Sequence, residues 1–199
     1  MGYPVNSFFV FKQVYDEKGK PIEGVFQDLN GDGILNQSDL YHYRQPSPRV
    51  FYGISSNFTY KGAFLGFVIR GSEGNYVYNN VESSSGTYQA ILAQSTNISN
   101  ASANVLDSRF TGVGLNADYR LLSDYYIRKA SFIRMDNLNF GYDFGNVTKG
   151  LGLKVSGTIQ NVFLLTDYSG IDPEIASGID NTYYPRPRTF VLGLSLTVR

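Results

Sequence analysis

Apolar and polar positions alternate along much of this chain with a period of two. That spacing puts successive side chains on opposite faces of a β-strand. In "TFVLGLSLTVR", Phe190, Leu192, Leu194, Leu196 and Val198 share one parity, and Gly193, Ser195 and Thr197 the other. "RVFYGISSNFTY" sets Val50, Tyr52, Ile54, Phe58 and Tyr60 against Gly53, Ser55, Asn57 and Thr59. "AFLGFVIRG" sets Ala63, Leu65, Phe67 and Ile69 opposite a face with Gly66 and Arg70, and "LKVSGTIQ" sets Leu153, Val155 and Ile159 opposite Lys154, Ser156, Thr158 and Gln160. In "FIRMDNLNFGY" the phase slips, because Ile133 and Met135 lie on one parity and Leu138, Phe140 and Tyr142 on the other. A β-bulge near Asp136–Asn137 would restore one continuous apolar face.

These patterns predict an all-β fold of about six long antiparallel strands. They fall near residues 7–15, 49–60, 63–71, 131–142, 153–165 and 189–198. Soluble strands usually run about 5–6 residues, whereas a tilted membrane strand needs about 9–11. Connections alternate as well: 60–62 and 143–152 are short, while 16–48, 72–130 and 166–188 are long. Membrane β-barrels have short turns on one side and long loops on the other. Tyr60, Phe64 and Tyr142 then fall near the short-turn ends and Phe51, Tyr52 and Phe132 near the long-loop ends, as interfacial aromatic girdles would. The smallest such barrels have about eight strands, so this set would leave two open edges. The expectation is therefore residues 1–199 as the C-terminal part of a large transmembrane barrel. The rival is a soluble, calcium-stabilised β-sandwich that binds carbohydrate, with its polar faces in water.

Composition narrows the function. The 199 residues carry 17 basic and 17 acidic side chains, so nothing favours nucleic acid. Tyr (16), Phe (14) and Gly (21) are abundant, Trp and Cys are absent, and only 17% of residues are charged, a usage that suits β structure with many turns. No apolar run approaches the ~18–20 residues of a membrane helix. "MGYPVNSFF" lacks the basic start and apolar run of a secretory signal, so an exported protein would have its beginning elsewhere. No enzyme is expected. His42 is the single histidine, there is no Cys, and no G-x-S-x-G occurs. Asp172 and Glu174 flank a proline in "GIDPEI", where turn formation accounts for them, and "GSEGN" (71–75) lacks the lysine of a phosphate loop. Residues 83–104 are rich in Ser, Asn and Thr and read as a solvated loop. Asn97-Ile98-Ser99 and Asn100-Ala101-Ser102 there fit the N-x-S/T pattern.

"DLNGDGILNQSD", residues 28–39, has the spacing of a calcium loop. Such loops supply oxygens from positions 1, 3, 5, 7, 9 and 12, with glycine at 6. Here these are Asp28, Asn30, Asp32, the Ile34 carbonyl, Asn36 (or a water) and Asp39, with Gly33 at position 6 and Leu35 as the inward apolar residue. Position 12 is Asp rather than the longer, bidentate Glu, and the flanks do not read as helices. A metal-free turn closed by Asx hydrogen bonds is the alternative.

The residues also resemble a known family. "YGISSNFTYKGAFLGFVIRGSEGNYVYN", "SDYYIRKASFIRMDNLNFGYDF" and "QNVFLLTDYSGIDPEIASGIDNTYYPRPRTFVLGLSLTV" are similar to the C-terminal barrel region of SusC/RagA-type TonB-dependent outer-membrane transporters. Asn161, Thr166, Tyr168, Gly170, Asp172, Pro173, Glu174, Tyr184, Pro185 and Gly193 stand in the family's order, and "DLNGDGILNQSD" matches a segment that precedes them. The resemblance covers nearly the whole chain and is weakest over 76–120. It implies a complete protein with a large barrel, an N-terminal plug and energy from the TonB complex. That protein would import glycans or peptides across the bacterial outer membrane, under a lid formed by a SusD-like lipoprotein. Since the family usually ends on an aromatic residue, the resemblance also implies that one or more residues follow Arg199.

Overall fold

The computed structural model describes residues 2–92, 100–114, 116–181 and 184–198. Asn97-Ile98-Ser99 and Arg199 lie outside them. The strands are β1 (Phe9–Val10), β2 (Gln13–Tyr15), β3 (Pro21–Phe26), β4 (Tyr41–His42), β5 (Val50–Tyr60), β6 (Ala63–Glu73), β7 (Tyr76–Asn79), β8 (Ile127–Lys129), β9 (Phe132–Thr148), β10 (Leu151–Thr166), β11 (Ile179–Asp180) and β12 (Thr189–Val198). Among the described residues, the short α-helices α1 (Asn80–Ser85), α2 (Tyr88–Leu92) and α3 (Val105–Ser108) lie between β7 and β8. No described helix is long and apolar enough to cross a membrane, which says nothing of a β-barrel. The chain divides into two compact units. One comprises residues 1–47, 75–130 and 168–183, and the other 48–74, 131–167 and 184–199.

The second unit is a single antiparallel sheet in the order β12-β10-β9-β6-β5. Its strands hold 10, 16, 17, 11 and 11 residues in that order, well beyond the soluble norm. Two tight hairpins close one end. In the β5–β6 turn Lys61 and Gly62 have φ of 45° and 88°, the double positive φ of a type I′ turn whose twist matches the strands it joins. Only glycine fits the second position, because a Cβ there would lie 2.5 Å from the Asp143 carbonyl oxygen. The β9–β10 turn is Lys149–Gly150, with Gly150 at φ 80°. Both strands run further than expected, so the connection at 143–152 shrinks to two residues.

The predicted bulge is present. Against β6, the register steps from Val68↔Asn137 to Ile69↔Met135, which leaves Asp136 as the extra residue. Against β10 it steps from Gln160↔Asn137 to Phe163↔Met135, and Asn161 there takes φ 52°. The bulge brings Met135 and Ile133 onto the face of Leu138, Phe140 and Tyr142. One row across that face reads Leu192, Gly157, Phe140, Leu65, Phe58. Apolar side chains stay open on this face: Leu192 is 88% exposed, Leu194 68% and Val198 81%. A sandwich would bury such a face beneath a second sheet.

One expectation fails. Residues 7–15 do not form a sixth long strand, since β1 pairs with β4 and β2 with β3 in two separate two-stranded sheets. The break is at Phe11, which is 1% exposed. Its N–H donates to the Leu122 carbonyl at 2.8 Å and its carbonyl accepts from Asp124 N–H at 3.0 Å. Burial of the Phe11 ring in the first unit overrides the local strand preference.

That first unit holds small sheets, short helices, a ring cluster of Phe11, Phe26 and Tyr119, and two hydrophobic cores. Val77, Ala130 and Tyr168 form one, with Ile175 against them. Phe110, Tyr125 and Tyr126 form the other, with Tyr78 against them. Polar links tie distant loops together. Arg128 pairs with Glu82 at 2.8 Å, and Ser169 Oγ donates to Glu82 at 2.9 Å.

Candidate functional site

The polar side of the sheet is built by the strand period itself. Its rows include Ser195, Lys154, Asp143 and, one step along, Gly193, Ser156, Gly141, Phe64, Thr59. Most other positions there carry amides, hydroxyls or glycine. Thr158 Oγ1 donates to Asn139 Oδ1 at 2.8 Å. The Phe64 ring lies over Gly141, where a Cβ would meet Phe64 Cζ at 2.5 Å. Lys154 Nζ sits 4.6 Å from the centre of the Phe64 ring, a cation–π contact that holds both side chains. Near the hairpin end, Asp143, Gly145, Asn146, Lys154, Ser195 and Thr197 help line a polar cavity of about 320 Å³. Further along, Arg70 bonds the bulge residue Asp136 with two guanidinium nitrogens, at 2.5 and 3.1 Å. Among the described residues this face offers neutral hydrogen-bonding groups and a few paired charges.

Loop 28–39 is closed by its own side chains. Asp28 accepts from Gly31 N–H at 2.7 Å and from Gly33 N–H at 2.8 Å. Asn30 Oδ1 accepts from Asp32 N–H at 2.9 Å, and its Nδ2 donates to Asp32 at 2.9 Å. Asp32 accepts from Ile34 N–H at 2.7 Å. Asn36 donates to the Ile34 carbonyl at 3.1 Å and accepts from Ser38 N–H at 2.8 Å, capping the turn Gln37–Asp39. Asp39 is fully buried and accepts from Leu29 N–H at 2.9 Å and Asn36 N–H at 2.9 Å. The backbone N–H of Asn36, with those of Leu29 and Asn30, holds its carboxyl below the usual 3.8. The six positions do come together as one closed loop. Among the described residues, however, no three His, Asp or Glu side chains converge to hold a metal.

The remaining sequence candidates take structural roles. His42 stacks on Tyr3, with ring centres 3.8 Å apart, and meets Phe9 at 4.9 Å. Asp172 is buried and accepts from Glu174 N–H at 2.9 Å, the turn geometry expected of "GIDPEI". "GSEGN" runs from the end of β6 into a turn with Gly74 at φ 81°.

Sequence reasoning missed the pairs that join distant segments. Tyr41 donates to Asp124 at 2.6 Å and Tyr168 to Asp180 at 2.6 Å. Burial first, then the neighbouring carboxylate, raises both phenols well above their usual value. Nothing local in the sequence marks these partners. The missed cavity is apolar, about 590 Å³, within the first unit. Phe8, Phe9, Leu122 and Ile179 wall it, beside a hydrogen-bonded Asn80–Asn181 pair at 2.5 Å.

Known proteins place this architecture. No family model matches the chain. The TonB-dependent receptor SusC of Bacteroides thetaiotaomicron is 44% identical over 98% of the chain. The TonB-dependent receptor P3 of Formosa agariphila is 25% identical over 86% of it. The chain spans about a fifth of the length of these relatives: 20% of the first and 18% of the second. Among solved structures, the RagAB peptide importer in its open-open state superposes with a TM-score of 0.72 at 20% identity, covering 99% of this chain and 23% of that one. The RagAB peptide transporter gives 0.72 at 21% identity, covering 98% and 23%. Long strands with one open apolar face and one polar face, together with this identity, place the chain in the SusC/RagA-type TonB-dependent receptors of the outer membrane, as a segment of their β-barrel.

Proposed function

We propose that the chain supplies wall strands and connecting loops to an outer-membrane, TonB-dependent importer of glycans or peptides that works with a SusD-like surface lipoprotein. The observation that carries this reading is the five-stranded sheet. Its apolar face is open over strands long enough to cross a bilayer, and its opposite face is mainly polar. Such a wall binds lipid outside and bounds an aqueous or protein-filled interior. The chemistry is transport, in which a substrate held on the outer side is released inward by energy from the TonB complex.

The test uses the full-length receptor that contains this chain. A strain lacking its gene should lose uptake of a fluorescent oligosaccharide or oligopeptide, and the purified receptor should require detergent and carry a lipoprotein. Undiminished uptake of both probes in the deletion strain would sink the importer reading. A detergent-free, monomeric protein would return the soluble β-sandwich.

For loop 28–39 the geometry supports a brace closed by hydrogen bonds. A structural calcium held by Asp28, Asn30, Asp32, Ile34, Asn36 and Asp39 is the competing reading, and it is supported by their spacing.

A further inference from the structure

The geometry points to a binding site for a small zwitterion in the polar cavity near the hairpin end of the sheet. Such a ligand carries an ammonium and a carboxylate a few bonds apart. Two neighbouring rows of the polar face build the site. In one, Lys154 on β10 stands between Asp143 on β9 and Ser195 on β12. In the next, Gly152 stands between Asn146 and Thr197. All six residues line the cavity of about 320 Å³, a size within the range of small-ligand sites, about 300–1,000 Å³.

Opposite charges at facing positions of an antiparallel sheet pair readily. Asp143 and Lys154 face each other, yet among the described residues neither makes an ion pair, whereas Arg70 and Arg128 each do. Asp143 accepts from Gly145 N–H at 2.9 Å, and Lys154 Nζ lies 4.6 Å from the centre of the Phe64 ring. Phe64 faces Gly141, two residues before Asp143, and Gly145 is two residues after it. The two charges are thus drawn apart along the strands.

Two further bulges in β9 produce this arrangement. The register steps from Asp143↔Lys154 to Gly145↔Leu153, which leaves Phe144 as the extra residue. It steps again from Asn146↔Gly152 to Thr148↔Leu151, which leaves Val147. Bulges re-aim side chains and gather beside functional sites. Gly152 keeps the cavity open between them. A Cβ there would stand 3.6 Å from Thr197 Cβ and 3.7 Å from Asn146 Oδ1, in ordinary contact with two lining residues. A side chain would therefore fit at Gly152 and take up the space.

An ammonium and a carboxylate that open on one cavity are complementary to a ligand with both charges. The ligand carboxylate would accept from Lys154 and its ammonium would donate to Asp143, both as charge-assisted hydrogen bonds. Ser195, Thr197 and Asn146 would serve its neutral groups. A singly charged ligand would match one of the two and repel the other, and a neutral sugar would match neither charge. The inference rests on the importer reading only for water on this side of the wall.

Saturation-transfer NMR on the full-length receptor in detergent tests the site. Alanyl-alanine is the zwitterion, and acetate, ethylamine and glucose are the controls. Wild type should transfer saturation to the dipeptide and little to the controls. Lys154→Gln and Asp143→Asn should each weaken dipeptide binding about fivefold, the upper end for a partly exposed ion pair. Gly152→Val should abolish it by filling the cavity. Asp143→Lys combined with Lys154→Asp should recover most of it, because a zwitterion can turn end for end. A purely structural role for the two charges would give no such recovery of binding. Heat-resistant gel mobility checks that each variant is folded. Glucose bound as well as the dipeptide overturns the zwitterion. A wild type without a dipeptide signal, or variants that all bind like wild type, overturns the site. Loss of uptake in the deletion strain would still uphold the importer reading in each of these cases, so the two fail separately.

Discussion

Arg70 on β6 holds Asp136 on β9 through two hydrogen bonds, at 2.5 and 3.1 Å, and Asp136 is the residue that the bulge inserts into its strand. The pair therefore fastens the point where β9 changes phase. Without that change, Ile133 and Met135 would face the polar side. Removing either partner should loosen the register and cost about 1–3 kcal/mol, because the other, partly buried, loses a charged hydrogen-bond partner. Arg70→Ala, Asp136→Ala and the double variant of the full-length receptor should form a cycle with clear coupling, read by thermal unfolding in detergent. Additive losses would mean that the pair does not act as a unit.

Gly141 should tolerate no side chain. A Cβ there would meet Phe64 Cζ at 2.5 Å and, closer still, the backbone carbonyl of Val155, which cannot swing aside. Gly141→Ala should reduce the heat-resistant folded band on a gel. Adding Phe64→Ala should rescue it only in part. Full rescue would show that the ring alone sets the constraint.

Leu192 and Ser195 test which face meets lipid. Leu192 is 88% exposed on the apolar face, and Ser195 lies on the polar one. Arginine on a lipid-facing position near the bilayer middle costs about 2–4 kcal/mol. Leu192→Arg should lower the amount assembled in the outer membrane, and Ser195→Arg should leave it nearly unchanged. Equal effects would overturn the assignment of faces.

The loop at 28–39 separates its two readings by titration. If hydrogen bonds alone close it, calorimetry should show the same calcium response for wild type and for Asp28→Ala with Asp32→Ala. Loss of a binding isotherm in that double variant would establish the metal. In either case the variant should open residues 16–48 to protease and leave the long strands intact.

Asp39 gives that loop a defined pH dependence. Its carboxyl is held below 3.8 in the folded loop, chiefly by Asn36 N–H. A depressed carboxyl contributes stability that is complete above 3.8 and fades as pH falls through the lower folded value. Pepsin should thus cut the loop more readily as pH drops below 3.8. Asp39→Asn should weaken the loop at neutral pH and flatten the dependence. A wild-type loop equally resistant across that window would remove Asp39 from the brace.

The alternation of "TFVLGLSLTVR" and its counterparts was enough to assign five of the long strands, their two faces and the need for a bulge near Asp136–Asn137. Period-two patterning is local, and a one-residue slip would turn every side chain to the wrong side. The turn at Lys61–Gly62 was equally legible, because its chemistry lies within the two residues that form it. Residues 7–15 were misread for the complementary reason. Their composition suits a strand, but Phe11 is drawn into a core whose other members, such as Tyr119 and Phe26, come from elsewhere in the chain.

By itself, then, the sequence determined an all-β membrane-wall segment, its family resemblance and the acid spacing of loop 28–39. Only the tertiary structure decided that Arg70 finds Asp136, that Tyr41 finds Asp124 and that Arg128 finds Glu82. The physical reason is separation along the chain. Strand period and turn chemistry are written in neighbouring residues, whereas side-chain partners tens of residues apart meet only once the backbone has folded.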